Sequence, residues 1–196
     1  VTSARSQVQT EKDALAKAKA RNPAPDAIQK REVRVRAAGD RLADAELFAA
    51  LWLTVSLTGC RIGEALGLEW KDVDLGEGVA KISHSKTDAG MRQVRLLPEV
   101  VASLTAWKAQ QKRYEKELGE GWPNGRGLVF TTKTGTPLLY RNATRTLLAL
   151  IDRVNGRPPL KVLIEKARPW HTFRHSLATR LLNSGVPMPV VKDIVG

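Results

Sequence analysis

The stretch from Leu42 to Gly59, LADAELFAALWLTVSLTG, constrains this chain most. Leu42, Leu47, Phe48, Leu51, Trp52, Val55 and Leu57 give it an apolar density that a solvated helix does not carry. A helix of this kind is buried, so a core forms around it, and Thr58-Gly59 supplies its stop. Nothing upstream is comparable. Thr2 to Ala20 is rich in Ala, Lys, Gln and Glu and reads as a solvated helix. Asn22-Pro23-Ala24-Pro25-Asp26 breaks it, with Asp26 placed to cap the next segment, and that segment, Ala27 to Arg41, is again charged. Residues 1–41 are therefore expected to be a charged helical lead-in or linker, with a peripheral helix pair as the alternative, and residues 42–196 the main domain.

Downstream the pattern changes character several times. A helix is expected from Ile62 to Trp70. Val79 to Ser83 and Gln93 to Leu97 alternate well enough for a hairpin, with Lys86 to Gly90 as its turn. Pro98 opens a long amphipathic helix to about Leu118, and Leu128-Val129-Phe130 reads as a short strand. Further helices are expected over Arg141–Val154, over His171–Asn183 with Gly185 just past its end, and from Pro187 to Gly196. The fold class this implies is mainly α with a small antiparallel β-sheet.

Thirty-two Lys and Arg against 20 Asp and Glu leave a formal charge of +12. An excess of that size favours a polyanionic partner. No apolar run approaches the roughly 20 residues of a membrane span, and no signal peptide is recognisable, which favours nucleic acid over a membrane. A single cysteine, Cys60, excludes an internal disulfide and a cysteine-rich zinc site.

Two chemistries compete for the stretch HTFRH, His171 to His175. His171 and His175 lie i, i+4 on one helix face, the spacing of a metal pair. The zinc-protease pattern, however, needs Glu directly after the first His, where this chain has Thr172. A third ligand would have to come from His84, Cys60 or a carboxylate that nothing singles out, so no metal site is expected. The other chemistry is phosphate binding. Arg61 stands at one helix start and Arg174 in the first turn of another, so two guanidinium forks could hold one phosphodiester. His171 shares the face of Arg174 and titrates near neutrality, and Lys86 on a hairpin tip could reach the same site. Each residue also has an ordinary structural alternative: Arg61 paired with Glu64, His175 as a satisfied core histidine, Lys86 as a solvated turn residue.

Three segments in order resemble the tyrosine recombinase (phage integrase) family. LTGCRIGEALGLEWKDVDL, Leu57 to Leu75, is similar to the family's first arginine box. SKTDAGMRQVRLL, Ser85 to Leu97, is similar to its hairpin with a catalytic lysine. HTFRHSLATRLLNSGVPMPVVKDIVG, His171 to Gly196, is similar to its second box. The resemblance spans Leu42 to Gly196 and implies that family's catalytic-domain fold. It gives catalytic roles to Arg61, Lys86, His171 and Arg174 and supporting roles to Glu64 and His175. Arg31, Arg34, Arg36, Arg92, Arg95, Arg141 and Arg145 are expected along the DNA backbone.

The activity implied is site-specific recombination or integration of DNA through a 3′-phosphotyrosyl intermediate, without ATP, metal or other cofactor. The partner implied is double-stranded DNA. A tetramer on two duplexes is expected for the full-length protein, and a monomer for this chain without DNA, in the cytoplasm or at the nucleoid. The family's nucleophilic tyrosine comes after the second box, and neither Tyr114 nor Tyr140 does, so the catalytic domain is expected to be incomplete at its C-terminus. A non-catalytic integrase-like DNA-binding protein is the rival reading, decided by whether a tyrosine stands soon after VKDIVG. An RNA-binding basic protein would explain the charge but not the ordered boxes.

Overall fold

The computed structural model describes residues 1–21, 25–83, 91–156 and 167–196. It is mainly α with one small antiparallel sheet, in the order α1 (Thr2–Lys19), α2 (Pro25–Thr58), α3 (Ile62–Leu66), β1 (Val73–Asp74), β2 (Val79–Ile82), β3 (Arg92–Arg95), α4 (Pro98–Leu118), α5 (Tyr140–Asn155), α6 (Pro169–Asn183) and α7 (Met188–Val195). Contacts cluster into two compact units, Val1–Ala49 and Ala50–Gly196. The first is helical and thinly cored: Ala38, Ala43 and Leu47 are buried, and Arg5 reaches the largely buried Glu46 at 3.0 Å. The change of apolar density at Leu42 falls inside α2, which runs unbroken from Pro25, so Asp26 sits in its first turn and pairs with Lys30 at 3.0 Å.

In the second unit the sheet order is β1-β2-β3, with Ala80 opposite Val94 and Ile82 opposite Arg92. Ala80, Ile82 and Val94 are buried while Lys81, Gln93 and Arg95 face outward, the period-two alternation of a sheet with one wet face. β1 is an addition to the expected hairpin, and the helix expected to reach Trp70 stops at Leu66, with Trp70–Asp72 wound as a 3₁₀ turn. Leu128-Val129-Phe130 forms no strand beyond an isolated bridge from Leu128 to Glu69. Its backbone is held instead by side chains of α4: Trp107 Nε1 donates to the Val129 carbonyl at 2.6 Å, and Gln111 Nε2 to that of Leu128 at 3.1 Å. The Val129 amide donates to the Leu68 carbonyl at 2.8 Å and the Phe130 carbonyl accepts from the Leu138 amide at 3.2 Å, so the segment is satisfied in the core without a continuous ladder. Trp107, Phe130, Leu51, Leu104 and Leu147 are the largest fully buried side chains of this unit. Among the described residues no helix is long and apolar enough to cross a membrane.

Candidate functional site

The site begins where α2 ends. Gly59 adopts φ 69°, and a Cβ there would come within 2.9 Å of Leu177 and 3.1 Å of Val195, so both the turn and the close approach require glycine. The chain can then lie against α6, and the Gly59 carbonyl accepts from Arg174 Nη1 at 2.9 Å. Arg61 caps α3. Its amide donates to Glu64 Oε2 at 2.9 Å, the acidic half of a capping box, and its Nη1 binds Glu64 Oε1 at 2.9 Å. The Arg61–Glu64 pairing weighed from the sequence is thus present, and it leaves half of the Arg61 side chain exposed.

α6 starts two residues earlier than expected, because Pro169 takes the first helical position that proline favours. Arg174 therefore lies in the second turn. Trp170 is buried and fixes the helix start by donating from Nε1 to Thr144 Oγ1 of α5 at 2.8 Å. The Arg174 guanidinium donates to the carbonyls of Val195 and Gly196 as well as Gly59. Arg61 Nη2 reaches the same Gly196 oxygen at 3.3 Å. Two forks from different elements thus meet at the oxygen of the last residue, Gly196. Burial, followed by the charges of Arg61 and Arg92, holds Arg174 below the usual guanidinium value, as expected where three guanidiniums crowd one carboxylate. Such a surplus of positive charge attracts an oxyanion.

His171 and His175 are exposed on α6, their rings 4.0 Å apart and edge to face, with the Nε2 atoms sharing a hydrogen bond. Partial desolvation, then His175, Arg168 and Arg174, push His171 below the ordinary histidine value, so at neutral pH it accepts rather than carries a proton. Among the described residues no group of three or more His, Cys, Asp or Glu is placed to hold a metal. Lys86, His84 and the hairpin turn lie outside the described residues. A cleft of about 490 Å³ opens beside the guanidiniums, lined by Cys60, Arg61, Ile62, Tyr140, Thr144, Leu148, Trp170, His171 and Arg174. Arg95, Arg141 and Arg145 are exposed, as are Arg34 and Arg36 in the first unit, while Arg31 is half-buried.

Arg92 departs from expectation. Its side chain is 8% exposed, and it turns inward to bind Glu64 Oε2 at 3.3 Å and the Ile194 carbonyl at 3.1 Å. The strand alternation carried the signal: Arg92 lies two residues from buried Val94, on its face, whereas Arg95 lies on the other.

Cys60 is 1% exposed, and burial above all pushes its thiol up to about 11. Because the thiolate is the reactive form, iodoacetamide at pH 8 should leave the native chain unlabelled while labelling the denatured chain readily. Labelling of the native chain at a similar rate would show that Cys60 is not enclosed.

By fold this is a mainly helical domain whose site gathers three guanidiniums around one carboxylate. The model of the Phage integrase family matches residues 29–196, and the chain belongs to that family. It is 26% identical over 171 residues to the tyrosine recombinase XerC-like protein of Caldanaerobacter subterraneus subsp. tengcongensis, covering 75% of this chain and 41% of that protein. It is 29% identical over 164 residues to the prophage ps2 probable integrase of Lactococcus lactis subsp. lactis, covering 72% of this chain and 39% of that one. The chain thus spans about two-fifths of the length of these relatives. The Tn1549 transposon integrase, solved in complex with circular intermediate DNA, shares the fold with TM-score 0.56 at 19% identity, over 97% of this chain and 77% of that one.

Proposed function

We propose that this chain is the larger part of the catalytic domain of a site-specific DNA recombinase that cleaves and rejoins strands through a 3′-phosphotyrosyl intermediate. The observation that carries the reading is that Arg61, His171 and Arg174, brought together by α3 and α6, line one cleft. With a scissile phosphate in that cleft, both forks bind non-bridging oxygens and stabilise the charge that grows on them in the transition state. A tyrosine phenol attacks phosphorus, a new O–P bond forms, and the bond from phosphorus to the 5′-oxygen breaks. His171 takes the phenol proton, and Lys86 gives a proton to the departing 5′-oxygen, which leaves as a hydroxyl. Glu64 holds Arg61, and His175 orients His171. The reading assigns neither Tyr114 nor Tyr140 as nucleophile and needs a tyrosine from beyond Gly196. No metal or other cofactor takes part.

Arg95, Arg141 and Arg145, with Arg31, Arg34 and Arg36 of the charged lead-in, contact the DNA backbone in this reading. The full-length protein works as a tetramer on two duplexes in the cytoplasm, and this chain alone is a monomer without DNA. The decisive experiment traps the full-length polypeptide on a nicked suicide duplex. A covalent adduct that survives denaturation supports the reading, and DNA binding without an adduct on any site sequence favours the non-catalytic binder.

Binding by this chain is a separate prediction. If it neutralises about six phosphates, its affinity for duplex DNA falls roughly 10³-fold between 50 and 200 mM salt. A filter-binding or anisotropy series checks this, and salt-insensitive binding contradicts the phosphate clamp.

A further inference from the structure

Arg92 has no part in the reaction just described, yet its side chain is far more enclosed than that of Arg61, 8% against 51% exposed. It stands opposite Ile82 in the β2–β3 ladder, on the buried face that also carries Val94. A charge in such a place persists only when it is paired. Its partner Glu64 is itself 4% exposed. Glu64 Oε2 accepts from both Arg92 Nη1 and the Arg61 amide, while Oε1 binds the Arg61 guanidinium. Arg92 Nε also donates to the Ile194 carbonyl at the end of α7. One side chain therefore ties a sheet strand, the start of α3 and the end of α7 to a single carboxylate.

The consequence falls on Arg61. Its side chain is half exposed and long, so without a tether it would sample several rotamers. Glu64 is the tether, and it can hold Arg61 only while its own carboxylate keeps one orientation. We propose that Arg92 is a positioning residue that locks Glu64 and thereby aims Arg61 at the phosphate, and not a DNA contact. The part concerning Arg61 rests on the recombinase reading above.

Two measurements test it. The first needs no reaction: in this chain carrying Arg92→Met, which keeps volume and loses charge, the Glu64 carboxyl followed by ¹³C NMR should titrate at higher pH than in the parent. An unmoved titration overturns the coupling, whatever the protein catalyses. The second uses the full-length polypeptide at saturating concentration on the suicide duplex. A misaimed Arg61 should slow single-turnover cleavage about 10–100-fold in Arg92→Met, with duplex affinity and its salt slope unchanged. Arg92→Lys, which keeps the charge but not the fork, should recover part of the rate. In an Arg61→Ala background the same Arg92→Met change should cost less than about 3-fold, because it acts through Arg61. An equal loss in both backgrounds, or a salt slope reduced by about one with the saturated rate intact, overturns the proposal. A parent that forms no adduct condemns the recombinase reading and leaves the titration to judge Arg92.

Discussion

Arg174→Ala in the full-length polypeptide lowers the rate of covalent adduct formation by about 10²–10³ at saturating enzyme. The figure is that for removing one preorganised donor from a developing oxyanion, about 2.7–4 kcal/mol. The geometry supports the comparison, since Arg174 and Arg61 line the same cleft from different elements. Arg174 is also held in place: α6 is fixed by buried Trp170, and its Nη1 is bound to the Gly59 carbonyl. The side chain therefore needs little reorganisation when phosphate arrives. Arg174→Lys should restore little of the rate, because an ammonium cannot supply two parallel bonds. Duplex affinity should change much less than the rate, as one phosphate contact among several is lost. Because the Gly59 carbonyl also loses its donor, the variant's melting should be recorded beside its rate. A folded Arg174→Ala protein that cleaves at the parental rate would end the clamp reading.

Much of this arrangement is legible in the sequence alone. The long apolar helix, the hairpin strands and the helices opened by Pro98 and closed near Gly185 follow from periodicity and breakers, which act locally. Arg61 and Glu64 are three residues apart at a helix start, so their pairing is among the alternatives the sequence offers. The hidden features depend on distant partners. Leu128-Val129-Phe130 looks like a strand by composition, but Trp107 and Gln111 of α4 take the Leu128 and Val129 carbonyls. That α2 runs on from Pro25 through Leu42 could not be read from the density change there. Arg92 is the instructive case. Alternation from Val94 placed it on the inner face, yet its charge drew the opposite reading, and only Glu64 waiting across the core makes the inner face tolerable.

Glu64→Ala should strongly destabilise the second unit. It removes the counter-charge of a guanidinium that is 8% exposed and frees the Arg61 amide at the start of α3. Breaking a buried pair in this way costs about 3–5 kcal/mol, mostly for the charge left behind. The pH dependence comes from the same contacts. Burial alone would raise the Glu64 carboxyl, but the Arg61 amide and guanidinium, with Arg92, outweigh it and hold the group below its ordinary value of 4.5. A carboxyl depressed on folding stabilises the native state fully above its unfolded value, and that contribution is lost as pH falls through the folded one. The gap between parent and Glu64→Ala, read from urea midpoints, should thus be flat near pH 7 and begin to close below about pH 4.5. Glu64→Gln should fall between the two, since it still accepts from Arg61 but leaves Arg92 unneutralised. A gap that stays constant on acidification would mean that Glu64 acts by shape and not by charge, and Arg92 would then lack the anchor its burial demands.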